Sequence, residues 1–156
     1  AHAAEAMVGK AVGARDPAGV QAAARAGFGL AAGLAVAMTA AFALGGPALI
    51  ALLTDLAEVR ATALAFLPFA AALPLVSVWA FVLDGLFFGA TRPAELRNAT
   101  VAAMLAFAAA ALVLPGPFGN SGLWSALLIL MAARGAFLGL AYWRAGAGAA
   151  FARGPA

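Results

Sequence analysis

The chain has no cysteine, one lysine, one histidine and one tyrosine, and charged residues fill only 10% of its 156 positions. Lack of cysteine excludes disulfides, thiolate metal sites and cysteine nucleophiles. No glycine-rich phosphate loop, nucleophile elbow or zinc-ligand spacing occurs, and the lone His2 carries little weight as a ligand. Enzymatic chemistry therefore has no residues to run on, and nothing calls for a cofactor. Typical soluble domains carry about 25% charged and 45–50% apolar residues. Here the apolar share is 66% and mean hydropathy +1.03, so no soluble fold of this length could cover its apolar side chains. The chain reads as an integral membrane protein whose first partner is the lipid bilayer. A net charge of +3 invites a nucleic-acid reading. That reading fails because the nine Lys and Arg residues are scattered between apolar blocks and form no stripe.

What is present is apolar and helical in character. After an opening segment, 1–14, come four apolar blocks: Gly27 to Thr54, Ala61 to Thr91, Ala99 to Leu114 and Leu123 to Trp143. A spanning helix needs about 20 residues. Alanine, leucine and phenylalanine dominate without period-two alternation, which favours helices over barrel strands. The fold class expected is an all-α integral membrane bundle with spanning helices over 17–54, 61–91, 98–114 and 123–143, and a tail over 144–156. Asp16-Pro17 is a helix start, with Asp as N-cap and Pro in the first turn. Gly45-Gly46-Pro47 should kink or end the first span, and Pro68 and Pro74 should bend the second. Pro115 to Gly122 reads as a tight turn. The segment 1–14 resembles the end of an apolar helix and not a signal peptide, so the chain is expected to be part of something longer.

Basic residues alternate between successive connections. Lys10, Arg15 and Arg25 flank the first, Arg60 alone marks the second, Arg92 and Arg97 sit in the third, the turn at 115–122 has none, and Arg144 and Arg153 lie in the tail. The positive-inside rule then puts the first connection, the 92–98 loop and the C-terminus in the cytoplasm, and 55–60 and 115–122 outside. Trp124, Tyr142 and Trp143 fall near the implied interfaces as belt anchors, whereas Trp79 is mid-span.

Against this background Asp84 stands out. It lies in Trp79-Ala-Phe-Val-Leu-Asp-Gly-Leu-Phe-Phe-Gly-Ala-Thr91, a run otherwise suited to hydrocarbon. A carboxylate at that depth costs several kcal/mol on insertion scales and is kept for a pathway, a coupling ion or a buried partner. At 1.5 Å per residue it sits about 12 Å inside Arg92, while Arg134 is about 15 Å from Arg144 and Glu5 about 15 Å from Arg15. Three ionisable groups on three helices thus fall near one depth, and a charge-paired cluster facing the bundle interior is the economical arrangement. Asp84, with Glu5, is a candidate for taking up H⁺ or Na⁺ while Arg134 tunes its affinity. Two alternatives stand beside this: a structural Asp84–Arg134 bridge that fixes helix register, and Arg134 snorkelling alone toward the headgroups. The pairs Gly29/Gly33, Gly85/Gly89 and Gly135/Gly139 have the spacing of close helix contacts, although eighteen glycines make chance matches expected.

The run Phe81-Val-Leu-Asp-Gly-Leu-Phe-Phe-Gly-Ala-Thr-Arg92, the following Glu95-Leu-Arg-Asn98 and the opening Ala3-Ala-Glu-Ala-Met-Val-Gly-Lys-Ala-Val-Gly-Ala-Arg15 together resemble the multidrug and toxin extrusion (MATE) family, with its DinF-like branch closest. The resemblance covers essentially the whole chain, as the end of an eighth helix followed by helices nine to twelve. It implies the C-terminal lobe of a bacterial inner-membrane antiporter. Such a protein expels organic cations or other xenobiotic small molecules in exchange for H⁺ or Na⁺ by rocking two six-helix lobes. The N-terminal lobe would be a further partner, and helices one to seven are missing from this chain. Asp84 falls at a tenth-helix position where that branch carries a carboxylate. Competing readings are a lipid-linked saccharide flippase of the same wider superfamily, which would line its cavity with several basic residues, and a non-transporting structural membrane subunit.

Overall fold

The structure, a computed structural model, describes residues 2–146, with side chains described from Ala4 onward. The Arg153 end of the tail lies outside the described residues. Six helices follow in order: α1 (His2–Gly13), α2 (Pro17–Leu53), α3 (Ala57–Gly89), α4 (Pro93–Val113), α5 (Pro115–Phe118) and α6 (Asn120–Arg144). There is no strand among the described residues. Four of the helices, α2, α3, α4 and α6, are long and apolar enough to cross a membrane.

Helix limits extend past the apolar blocks wherever polar residues can complete a first turn. α3 starts at Ala57, taking in Glu58 and Arg60, and α4 starts at Pro93, taking in Glu95 and Arg97. That lengthens the shortest span to 21 residues. The turn expected over 115–122 is largely helical, with α5 and the start of α6 separated by Gly119 at φ 57°. Gly122 is indispensable there, since a Cβ would overlap the Leu114 carbonyl.

Prolines do not terminate the spans. α2 continues through Pro47 to Leu53, and α3 through Pro68 and Pro74. Close to the carbonyl that Pro74 deprives of its amide, Thr39 Oγ1 of α2 donates to the Ala71 carbonyl at 2.8 Å. The bond ties α2 to α3 beside the bend, one residue past the freed Ala70 carbonyl. Asp16 occupies the N-cap position of α2 with extended backbone, as expected, but makes no side-chain capping bond. Its carboxylate lies over Gly19 in the first turn. At the C-terminal end of α2, Arg60 folds back: Nε donates to the Thr54 carbonyl at 2.6 Å, and Nη2 to the Ala51 carbonyl at 2.8 Å and to Asp55.

α3 is the hub, packed against α1, α2 and α6, while α4 lies mainly on α6. The core sits at one end of the bundle. There Val8 and Ala11 of α1, Val20 and Ala23 of α2, Leu83, Leu86 and Phe87 of α3, Leu96 of α4 and Leu138 of α6 meet around the α1–α2 and α3–α4 connections. Elsewhere the long helices present bare apolar side chains; Leu44, Leu52 and Leu112 are more than 80% exposed. That surface suits hydrocarbon or further helices, not water. Trp124 departs from its expected belt role: it is half-buried, stacked on Phe66 and Phe69 with centroids 6.2 and 6.1 Å away. Tyr142 packs against the core, and Trp143 is 74% exposed, as a belt residue should be.

Candidate functional site

Six consecutive residues of α3, Val82 to Phe87, are buried, so the helix is covered on every side at that level. Such all-round cover lets an apolar helix carry a polar group away from lipid. Asp84 occupies the middle of that stretch. Its Oδ2 lies 3.2 Å from Nη2 of Arg134 on α6, with the two side chains 12% and 27% exposed. α6 approaches through its glycines: a Cβ on Gly135 would touch Ala80 and Trp79 at 3.5 Å, and one on Gly139 would touch Leu83 at 3.8 Å. Successive contacts run the same way along both helices, so α3 and α6 are parallel here.

The pair is joined at one point only. Asp84 Oδ1 and Arg134 Nε are buried with no hydrogen-bond partner among the described residues. A carboxylate offers about four acceptor sites, and a guanidinium a fork of donors that a bidentate contact would fill. This contact leaves capacity on both sides. Chemically, the carboxylate can accept a proton or contribute to an ion's shell while the guanidinium stays near. Snorkelling of Arg134 by itself toward the headgroups is not what the geometry shows.

Glu5 is held elsewhere along α3. The half-buried residue has its carbonyl against Gly89, where a Cβ would come within 2.5 Å. Gly89 is five residues beyond Asp84, about 7.5 Å along the axis. The structure thus brings Asp84 and Arg134 together, and it packs the Glu5 backbone against the far end of the same helix. No group of three metal-ligating side chains is present among the described residues. Of the glycine pairs, Gly29 and Gly33 face open space, whereas Gly89, Gly135 and Gly139 lie in helix contacts.

One local feature escaped the sequence reading. Gly13-Ala-Arg-Asp-Pro-Ala18 and Gly89-Ala-Thr-Arg-Pro-Ala94 share the pattern Gly-Ala-x-x-Pro-Ala. Both form the same turn. Arg15 and Thr91 take left-handed φ of 51° and 54°. Arg15 and Asp16 amides donate to Val12 and Ala11 carbonyls, and Thr91 and Arg92 amides to those of Phe88 and Phe87, all at 2.9–3.0 Å. This is a Schellman closure followed by a proline-opened helix. A search for internal repeats would have found it; composition and hydropathy could not.

The family model described as MatE matches residues 1–115. The chain belongs to the MatE family. This family comprises membrane transporters and not enzymes, in keeping with the absence of catalytic motifs. Among curated proteins, this MatE chain is 40% identical over 144 residues to DNA damage-inducible protein F of Escherichia coli (strain K12). The alignment takes in 92% of this chain and 31% of that protein, so the chain spans about a third of its relative's length. No solved structure matches it significantly.

Proposed function

We propose that this chain is most of the C-terminal lobe of a cation-coupled exporter, which moves organic cations or other xenobiotics out of the cell in exchange for H⁺ or Na⁺. In this reading it is completed by an N-terminal lobe, and it lies in a bacterial inner membrane with the 14–16 and 90–92 connections and the C-terminus in the cytoplasm. Family membership and the four apolar spans support transport. The observation that carries ion coupling is the singly joined Asp84–Arg134 pair, in which buried Asp84 keeps an unused oxygen. Ion uptake at that oxygen would loosen the bridge between α3 and α6, linking occupancy to helix packing. A flippase lined by several cations is less well supported, because Arg134 is the one arginine deep in a span.

The test is Asp84→Asn in the full-length transporter, reconstituted in proteoliposomes with an imposed H⁺ or Na⁺ gradient. Coupled efflux should fall by more than tenfold while downhill substrate leak persists. Retention of gradient-driven transport in well-folded Asp84→Asn would remove the coupling role. A structural bridge has its own signature. Removing one partner of a buried pair costs about 3–5 kcal/mol, less here because Arg134 is partly exposed. Asp84→Asn would then unfold in detergent, and Asp84→Asn/Arg134→Gln would recover both folding and coupled transport.

A further inference from the structure

At the core end of the bundle, α4 and α6 run antiparallel and leave a groove of about 250 Å³ between them. Its floor is apolar, made by Ala99 and Ala102 of α4 and Phe137 and Leu140 of α6, the last two 42% exposed. Its mouth is polar, with Asn98, Glu95 and Arg144. Glu95 is neutralised by its ion pair with Arg92. Arg97 donates through Nε and Nη2 to the side-chain Oδ1 of Asn98 at 3.3 Å, which leaves the Asn98 Nδ2 as the donor end. Arg144 at the mouth and the neighbouring Arg97, both exposed, are therefore the cations beyond the Arg92–Glu95 pair, above a hydrocarbon-like trough. Exposed Trp143, next to Arg144, marks the headgroup level at the same height.

We propose that this groove binds an anionic glycerophospholipid. The phosphate sits among Arg97, Asn98 and Arg144, and one acyl chain lies along Phe137 and Leu140. A further helix would bring an apolar face to a mouth of exposed guanidinium groups and leave them without counter-charge. A lipid matches both halves of the site, since basic pockets between spanning helices are where anionic headgroups lodge. Phe137 is seven residues from Arg144, about 10 Å along α6, so the trough is deep enough to hold more than the headgroup. This inference is independent of ion coupling at Asp84.

Native mass spectrometry tests it on protein extracted from bilayers of equimolar phosphatidylglycerol and phosphatidylcholine. Wild type should retain phosphatidylglycerol preferentially. Arg97→Gln/Arg144→Gln should lower that preference about tenfold or more, and Arg97→Lys/Arg144→Lys should keep most of it. Equal retention of both lipids by wild type would overturn the proposal, as would an unchanged preference in the glutamine variant. Release of the lipid by inorganic phosphate would also overturn it, by making a bare anion the ligand. Should the glutamine variant fail to fold, Leu140→Trp fills the trough with every arginine intact. It should reduce retention, and unaltered retention there would count against the site.

Discussion

Individual residues divide into those whose identity is dictated by contact and those that merely suit the membrane. Gly89 and Gly33 show the difference. A methyl on Gly89 would come within 2.5 Å of the Glu5 carbonyl and 3.0 Å of Val8 Cβ, both on α1, while one on Gly33 would meet nothing. Gly89→Ala should therefore push α1 off α3 and destabilise the bundle by about 1–3 kcal/mol, the usual range for overpacking. Gly33→Ala should be neutral or stabilising by a few tenths, because alanine is the better helix former. Thermal unfolding of both variants in detergent checks this, and equal midpoints would show that α1 does not rest on Gly89. Asp84 belongs with Gly89, as it meets Arg134 of α6 in a specific contact across the α3–α6 packing.

Helices and their connections form the next scale. Two of the connections share one turn in which a residue other than glycine adopts left-handed φ. Thr91 is the costlier of the two, since β-branching makes that region unfavourable. Thr91→Gly should relieve it and stabilise the protein by about 1 kcal/mol, read as a raised thermal midpoint; a lowered midpoint would mean that other contacts of Thr91 outweigh the backbone strain. Helix positions were largely legible in the sequence because the apolar blocks are long and their ends are marked by Pro and charge. Their first turns were not, because Glu58, Arg60, Glu95 and Arg97 read as loop by hydropathy while their backbones are helical. Nor could hydropathy tell that Pro47, Pro68 and Pro74 would be absorbed within helices, since that depends on how the neighbouring helices pack around them.

For the molecule as a whole, the alternating basic connections gather at one end, where the core also sits, and Arg60 stands at the other. The proposed orientation can be measured directly because the chain has no cysteine of its own. In intact cells, Asn120→Cys should react with a membrane-impermeant maleimide. Arg97→Cys should react only after permeabilisation, and the reverse pattern would invert the topology. Membrane residence, the all-helical class and four spans follow from the sequence by itself. The apolar share is too high for any water-exposed fold, and only a helix satisfies its backbone alone in hydrocarbon. Asp84 was conspicuous for the same reason, as a charge in an apolar run needs no partner to be seen. Which group meets it was decided by tertiary structure. Arg134 and Glu5 lie at similar counted distances from their helix ends, but depth says nothing about the rotation or crossing of helices. Packing at Gly135 and Gly139 turns Arg134 onto Asp84, and close packing at Gly89 sets the Glu5 backbone farther down α3.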